Sequence, residues 1–378
     1  MSARDTHADV VVIGGGIAGV SVAYELSRSV RVTLLEMEPT LAYHTTGRSA
    51  ATFLETYGGE QIRALTTASR AFFETPPEGF DAVLVTPRPL LQIALAGRGD
   101  RIDAMHAAVL SLVSDAELLD EARCREAFPL LKPGAVERGL YEPRALALDV
   151  AAIHQGYVRG ARSRGTEIIR TAEVTTLRRH GERWAVSTAD GHVHRAPVVV
   201  NAAGAWADVV ALAAGAEPVG LTPLRRTIFL VSSPLGEASR GWPNCSDVDE
   251  AFYVNPEGAQ FLCSPADETH CAPSDAKPDE VEIARAIESI NAATDLNVRS
   301  VNSSWAGLRT FAPDRNFVVG ADVGAPGFFW LAGQGGYGIQ TAPATARLAA
   351  ALVLGDSAPP DLVDRGLDVR RLAPDRGP

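Results

Sequence analysis

Residues able to do chemistry gather in three stretches. In "GLTPLRRTIFLV", Gly220 to Val231, two arginines stand inside an apolar, strand-like run. A strand sends successive side chains to opposite faces. Leu224, Arg226, Ile228 and Leu230 then share one face, and Arg225, Thr227 and Phe229 the other. An unpaired charge in a dry layer costs several kcal/mol. So either both arginines reach water, or one of them meets an anion. In "IGGGIAGV", Gly14, Gly16 and Gly19 follow the order G-x-G-x-x-G. Such glycines turn a strand into a helix whose free N–H groups can seat a phosphate. In "GQGGYGIQT", Gly333 to Thr341, four glycines rule out an ordinary strand. An alanine-rich helix follows, with Pro343 expected in its first turn.

The elements around the first glycines support a nucleotide. "ADVVVI", Ala8 to Ile13, is a β-branched run suited to a buried parallel strand. Ile17, Val20, Ala23, Tyr24 and Ser27 recur at helical spacing, and "RVTLLE", Arg31 to Glu36, reads as a second strand ending in an acid. In this βαβ unit Gly14 permits the turn, Gly16 lets the backbone approach a pyrophosphate, and Gly19 lets helix and strand pack closely. Ile17 and Ala18 open the helix beside the phosphates. Glu36 is placed to accept from ribose hydroxyls and to repel a 2′-phosphate. The motif predicts a dinucleotide without separating FAD from NAD.

Composition bounds the remaining classes. The chain has 378 residues, 46% of them apolar, enough for a large core and two domains. Its net charge is -11 and no basic block stands out, which argues against a nucleic-acid partner. Cys124, Cys245, Cys263 and Cys271 form no C-x-x-C pair and have no histidine at ligand spacing, so no metal site is expected. Scattered thiols fit a reducing cytoplasm. The polar start "MSARDTHAD" does not read as a signal peptide. The longest apolar stretch is broken by Asn201 and Asp208, which argues against a transmembrane segment.

Four further stretches carry a resemblance: "YHTTGRSAA" from Tyr43, "VVVNAAGAWAD" from Val198, "SWAGLRTFAPDRNFVVG" from Ser304 and "GFFWLAGQGGYGIQTAPATARLAA" from Gly327. In this order they resemble the D-amino-acid oxidase-like family of FAD flavoproteins. "RALTTASRAFFETPPEGF" and "DEAFYVNPEGAQFLCSPA" resemble its bacterial D-arginine dehydrogenase subgroup. The resemblance implies an α/β fold: a discontinuous, Rossmann-like FAD-binding domain (1–80, 145–215 and 306–378) and a substrate domain with a mixed or antiparallel sheet (81–144 and 216–305). Asp149 reads as the N-cap of a helix returning to the FAD domain. "SPADETHCAPSDAKPDE" reads as a surface loop suited to a lid.

The cofactor implied is FAD. Thr46, Gly47, Arg48, Ser49 and Ala50 would form the loop under the flavin, with Arg48 and Ser49 as donors. Ala203 and Gly204 would lie by the diphosphate, with Val174 and Trp206 completing the set. Gly335, Gly336, Tyr337, Gly338, Ile339 and Gln340 would present a helix N-terminus to the flavin N1–C2=O edge. Relatives with covalent flavin attach it through a Cys near "GLRTF", where this chain has none, so the FAD is expected to be non-covalent.

The resemblance also implies a substrate site. Arg309 and Arg226 match a clamp for an α-carboxylate, and Tyr253 a tyrosine that reaches it. Tyr57 matches a tyrosine near the amine or side chain. The backbone around Gly336 would accept from the amine, and Gln340 would bond the flavin or a site water. Two positions depart from the subgroup: Leu90 stands where it has a glutamate after "PRP", and Thr52 where it has a histidine. Losing that acid implies an apolar wall and a D-amino acid with an apolar side chain rather than D-arginine, unless Glu55 or Glu60 replaces it. The expected reaction is oxidative deamination, a hydride passing to flavin N5 and the imine hydrolysing to the 2-keto acid. Oxidation of N-methyl or cyclic secondary amines, or of a larger amine, is the rival. A non-catalytic flavin-binding subunit is a third class. The electron acceptor, oxygen or a quinone, stays open.

Overall fold

The computed structural model describes residues 5–377. Two sheets organise the described residues. In one, Val10–Ile13 is flanked by Val32–Leu35 and Val198–Asn201, and Phe328–Ala332 pairs beyond the latter, all parallel. Glu167–Ile169 closes one edge in parallel and Val318–Ala321 the other in antiparallel. Val10–Ile13, Val32–Leu35 and Phe328–Ala332 are buried at every position, as apolar runs covered on both faces must be. The helix Ile17–Leu26 lies on this sheet against the helices Val150–Ser163 and Gly338–Leu354, and is buried on nearly every side. Asp149 caps the second of these, its carboxylate accepting from Ala152 N–H at 2.8 Å. The third starts at Gly338, so Pro343 sits in its second turn rather than its first. Having no N–H, Pro343 leaves the Ile339 carbonyl without its helical donor.

The other sheet has nine strands, in the order Thr269–His270, Thr222–Ser232, Gln260–Ser264, Tyr253–Glu257, Asn244–Asp247, Leu90–Leu95, Val136–Glu142, Glu117–Leu119, with Ser303–Phe311 also paired to Thr222–Ser232. Its ladders are antiparallel except that Asn244–Asp247 runs parallel to Leu90–Leu95, a mixed sheet as expected. The expected domain limit at 305/306 cuts Ser303–Phe311, which instead runs whole in this sheet. The helix Glu280–Ala293 packs with one face of the sheet around Phe229, Phe261 and Val254. The opposite face looks toward the first helix and the glycine turns across a cavity.

Candidate functional site

A single cavity reaches from the first glycine turn to the nine-stranded sheet, touching Gly16, Ile17 and Ala18 at one end and Leu90, Gln92 and Tyr253 at the other. Gly14 has φ +110, and a Cβ on it would lie 2.4 Å from the Ala202 carbonyl oxygen. A Cβ on Gly19 would lie 1.8 Å from the Gly14 carbonyl oxygen. Both glycines are thus required by the backbone geometry. Glu36 closes the turn: Gly15 N–H donates to it at 2.6 Å and Glu38 N–H at 2.9 Å. Burial pushes its carboxyl pKa upward against those two bonds. Thr46 Oγ1 accepts from Ile17 N–H at 3.0 Å, tying the flavin-loop candidate to the helix start. Gly338, Ile339 and Gln340 bring a second helix N-terminus to the same cavity. Two helix N-termini, a carboxylate at the second strand and an open path to the sheet fit an anionic dinucleotide whose far end is a flat ring.

Other expected cofactor contacts fall unevenly. Ser49, Ala50, Gly204, Gly335 and Gly336 line the cavity. Gly14, Gly19, Glu36, Gly47, Val174, Ala203, Trp206 and Tyr337 do not, although the first three shape the turn that does. Gly47 keeps its loop tight, since a Cβ there would meet the Ala42 carbonyl oxygen at 2.3 Å. Val174 packs on the apolar cluster under the parallel sheet, and Trp206 stacks on His44 with ring centres 4.6 Å apart. Tyr337 packs on Tyr57, ring centres 4.7 Å apart, and burial raises its hydroxyl pKa to about 12.

Two expected roles meet partners within the chain. Arg48 is not a free donor to the cofactor. Its guanidinium is taken by the carbonyls of Tyr43, Ala276 and Ala306 and by Asp275 at 2.5 Å. The loop's own folding uses those donors. Gln340 lines the cavity, and each end of its amide already has one partner within the protein. Leu54 N–H donates to its Oε1 at 3.1 Å, and its Nε2 donates to Thr66 at 2.9 Å. It ties the helix Glu60–Glu74 to the helix Gly338–Leu354.

At the sheet end the two neighbouring arginines divide as alternation requires. Arg225 faces away from the cavity, paired with Asp267 at 3.2 Å and Asp279 at 2.6 Å. Arg226 is 6% exposed and lines the cavity. Its Nε donates to the Asp267 carbonyl at 3.0 Å and an Nη to Glu268 at 3.3 Å. Ser303–Phe311 pairs with this strand, which brings Arg309 into the same cavity. Arg309 Nη1 donates to the Tyr57 hydroxyl at 3.4 Å, and its guanidinium lies against Gly336, where a Cβ would come within 3.0 Å of Cζ. Burial first, and the Arg309 charge second, push the Arg226 pKa down from its ordinary value. Of the inner pair only Arg226 meets a carboxylate, Glu268, which Arg315 also holds from outside at 3.0 Å. Arg309 has no carboxylate partner among the described residues, its one side-chain bond being to Tyr57. Tyr253 stands on the same wall with its hydroxyl buried and unpartnered among the described residues. Asp267, Glu268, Asp275 and Asp279 make the expected lid loop a strap pinned by Arg225, Arg226 and Arg48.

The wall around Leu90 departs from the apolar surface expected there. Leu90 lines the cavity, but so do Thr52, Gln92, Asn244, Ser246 and Asn255. Asn244 Nδ2 donates to Thr52 Oγ1 at 3.0 Å. Neither acid considered as a replacement is free: Glu55 pairs with Arg70 at 2.9 Å and Glu60 with Arg371 at 2.9 Å. Glu142, across the ladder from Leu90, is held by Thr56 and does not line the cavity. Sequence spacing did not single out Gln92, Ser246 or Glu268. The signal available for the first was its place two residues from Leu90, on the same strand face.

The family profile described as DAO, FAD dependent oxidoreductase, matches residues 9–352. The chain belongs to the DAO family of FAD-dependent oxidoreductases. Its cofactor is FAD. Rat (Rattus norvegicus) mitochondrial dimethylglycine dehydrogenase is 26% identical over 383 residues, 95% of this chain but 44% of that protein. The chain thus spans less than half the length of that DAO relative. In fold it is similar to glycine oxidase from Geobacillus kaustophilus, with a TM-score of 0.86, 20% identity and coverage of 99% and 100% of the two chains. L-proline dehydrogenase from P. horikoshii gives 0.84, 19% identity and 98% of each chain. Among the described residues no helix is long and apolar enough to cross a membrane, and no cluster of ligating side chains could hold a metal.

Proposed function

We propose that this DAO-family chain oxidises an amino acid at the carbon bearing its nitrogen, giving an imine that water converts to the 2-keto acid. The observation that carries this is the pair Arg226 and Arg309, which face one cavity side by side while only Arg226 meets a carboxylate, Glu268. A planar guanidinium grips a carboxylate through two parallel bonds. Two of them, with the Tyr253 hydroxyl, fix both position and rotation of an α-carboxylate. Bound FAD supplies the two-electron acceptor. Tyr57 and the backbone at Gly336 flank Arg309, and so receive the nitrogen one atom away from the carboxylate. Neither His nor Lys lines the cavity among the described residues.

The first substrate class is the D-amino acids, after the subgroup that the arginine and tyrosine positions resemble. With no glutamate at Leu90, D-arginine is expected to be a poor member. The second is N-alkylated or cyclic amino acids, favoured by the names of the relatives, which act on dimethylglycine and L-proline. The test is anaerobic mixing of the yellow protein with D-, L- and N-methyl amino acids while flavin absorbance is followed. Bleaching by D-amino acids supports the first class, and bleaching by N-methyl or cyclic ones alone supports the second. Absorbance unchanged by every amine overturns the proposal.

A further inference from the structure

We propose that Gln92 and Ser246 read the far end of the substrate, and that this end carries a neutral hydrogen-bonding group such as a carboxamide or hydroxyl. The proposal rests on the carboxylate clamp argued above.

Gln92, Ser246 and Tyr253 are successive Cα partners across three strands. Directly paired residues put their side chains on the same face, so these three stand in one row across the cavity wall. Strands lie about 4.8 Å apart, which puts Ser246 roughly 5 Å and Gln92 roughly 10 Å from Tyr253 along the row. Tyr253 marks the carboxylate end. A side chain of several carbons leaving the clamp therefore runs over Ser246 toward Gln92. Leu90 and Asn244 form the adjacent row on the same face.

The chemistry of this track is polar. Gln92 and Ser246 are half-buried and line the cavity, and neither side chain bonds any described residue. Together they offer two amide donors, an amide acceptor and a hydroxyl. An apolar substrate end would strip water from these groups and return nothing. A carboxamide or hydroxyl would replace that water bond for bond. Two acids also line the cavity, Asp247 and Glu250. Asp247 alternates with Ser246 and pairs with Ile93 of the core, so its side chain leaves the row; its Oδ2 accepts from two backbone N–H groups and its Oδ1 is buried without a partner among the described residues. Glu250 lies exposed on the same turn, where water screens it.

The test separates recognition from turnover. The holoprotein is titrated with two unreactive carboxylates of equal length and shape, 4-carbamoylbutanoate and 5-methylhexanoate, and binding is read from the flavin difference spectrum. The carbamoyl compound is expected to bind about tenfold tighter or more. Gln92→Leu and Ser246→Ala should each shrink that ratio, Gln92→Leu to below about threefold. D-glutamine and D-leucine are compared in the anaerobic reduction assay alongside. Equal binding of the two carboxylates by the wild type, or a ratio that both variants leave intact, overturns the proposal. Bleaching by both amino acids with no carboxylate preference defeats the track and leaves the amine oxidation standing. A carboxylate preference with no bleaching by any amine does the reverse.

Discussion

Arg225 and Arg226 are neighbours in sequence and of one chemical type, yet the structure assigns them opposite work. Their methionine variants should therefore fail in opposite assays. Arg226→Met removes one arm of the clamp. The strap is spared, because Glu268 keeps its partner Arg315 at 3.0 Å and only the Asp267 carbonyl loses a donor. A charge-assisted hydrogen bond contributes about 1.5–3 kcal/mol, so carboxylate affinity should fall roughly 10- to 150-fold. Stability should change little, because burial and the Arg309 charge already disfavour the Arg226 cation when no ligand is present. Arg225→Met breaks a pair with Asp267, whose side chain is 2% exposed, and a second with Asp279. Losing charge-assisted bonds of this kind costs about 1.5–3 kcal/mol, so the melting temperature should drop by a few degrees. Its carboxylate affinity should stay within about threefold of wild type, since Thr227 still donates to Asp267 through both N–H and hydroxyl. The assays are thermal melting and titration of the flavin spectrum with an unreactive carboxylate. If Arg226→Met binds the carboxylate as wild type does, or Arg225→Met loses affinity and keeps its melting temperature, the assignment of faces is wrong.

Two shorter predictions follow from the same structure. Precipitation with trichloroacetic acid should release all the yellow colour into the supernatant, because Cys124, Cys245 and Cys263 are buried and Cys271 lies in the strap; a yellow pellet would refute non-covalent FAD. Glu142 is held by Thr56 at 2.9 Å, and burial raises its carboxyl pKa from 4.5 to about 7. Its folded pKa lies above the unfolded one, so its contribution to stability is complete below about pH 4.5 and is lost as pH rises through 7. Glu142→Gln should therefore be more stable than wild type at pH 8, by up to about 3 kcal/mol, with the gap closing near pH 5. Urea melts at the two pH values measure it, and a gap independent of pH would refute the buried charge.

What could be read in the sequence follows from how local each signal is. The glycine turn and its acid were legible because Gly14, Gly19 and Glu36 meet within one βαβ unit, where spacing alone fixes the geometry. The split of Arg225 from Arg226 was legible for the same reason, since strand alternation needs only adjacent residues. Long-range partners were not. Arg48 looked like a free loop donor until Asp275 and two carbonyls from distant segments claimed it. Gln340 reads as a site residue, and nothing in the sequence signals that Leu54 and Thr66, distant in the chain, each bond one end of its amide.

The wall beside Leu90 shows the cost of reasoning from one position. Replacing a glutamate with leucine removes a charge from one strand, and taken alone that predicts an apolar pocket. The surface a substrate meets is set by the row across three strands, in which Ser246 and Tyr253 stand beside Gln92 from far along the chain. The register of Asn244–Asp247 against Leu90–Leu95 decides which residues share that row. A shift by one residue would turn Cys245, now buried with Phe261 and Val254, toward the cavity and hide Ser246 in the core. The pocket's polarity is therefore a property of register, and register is what a single sequence leaves least constrained where two strands meet without a connecting turn.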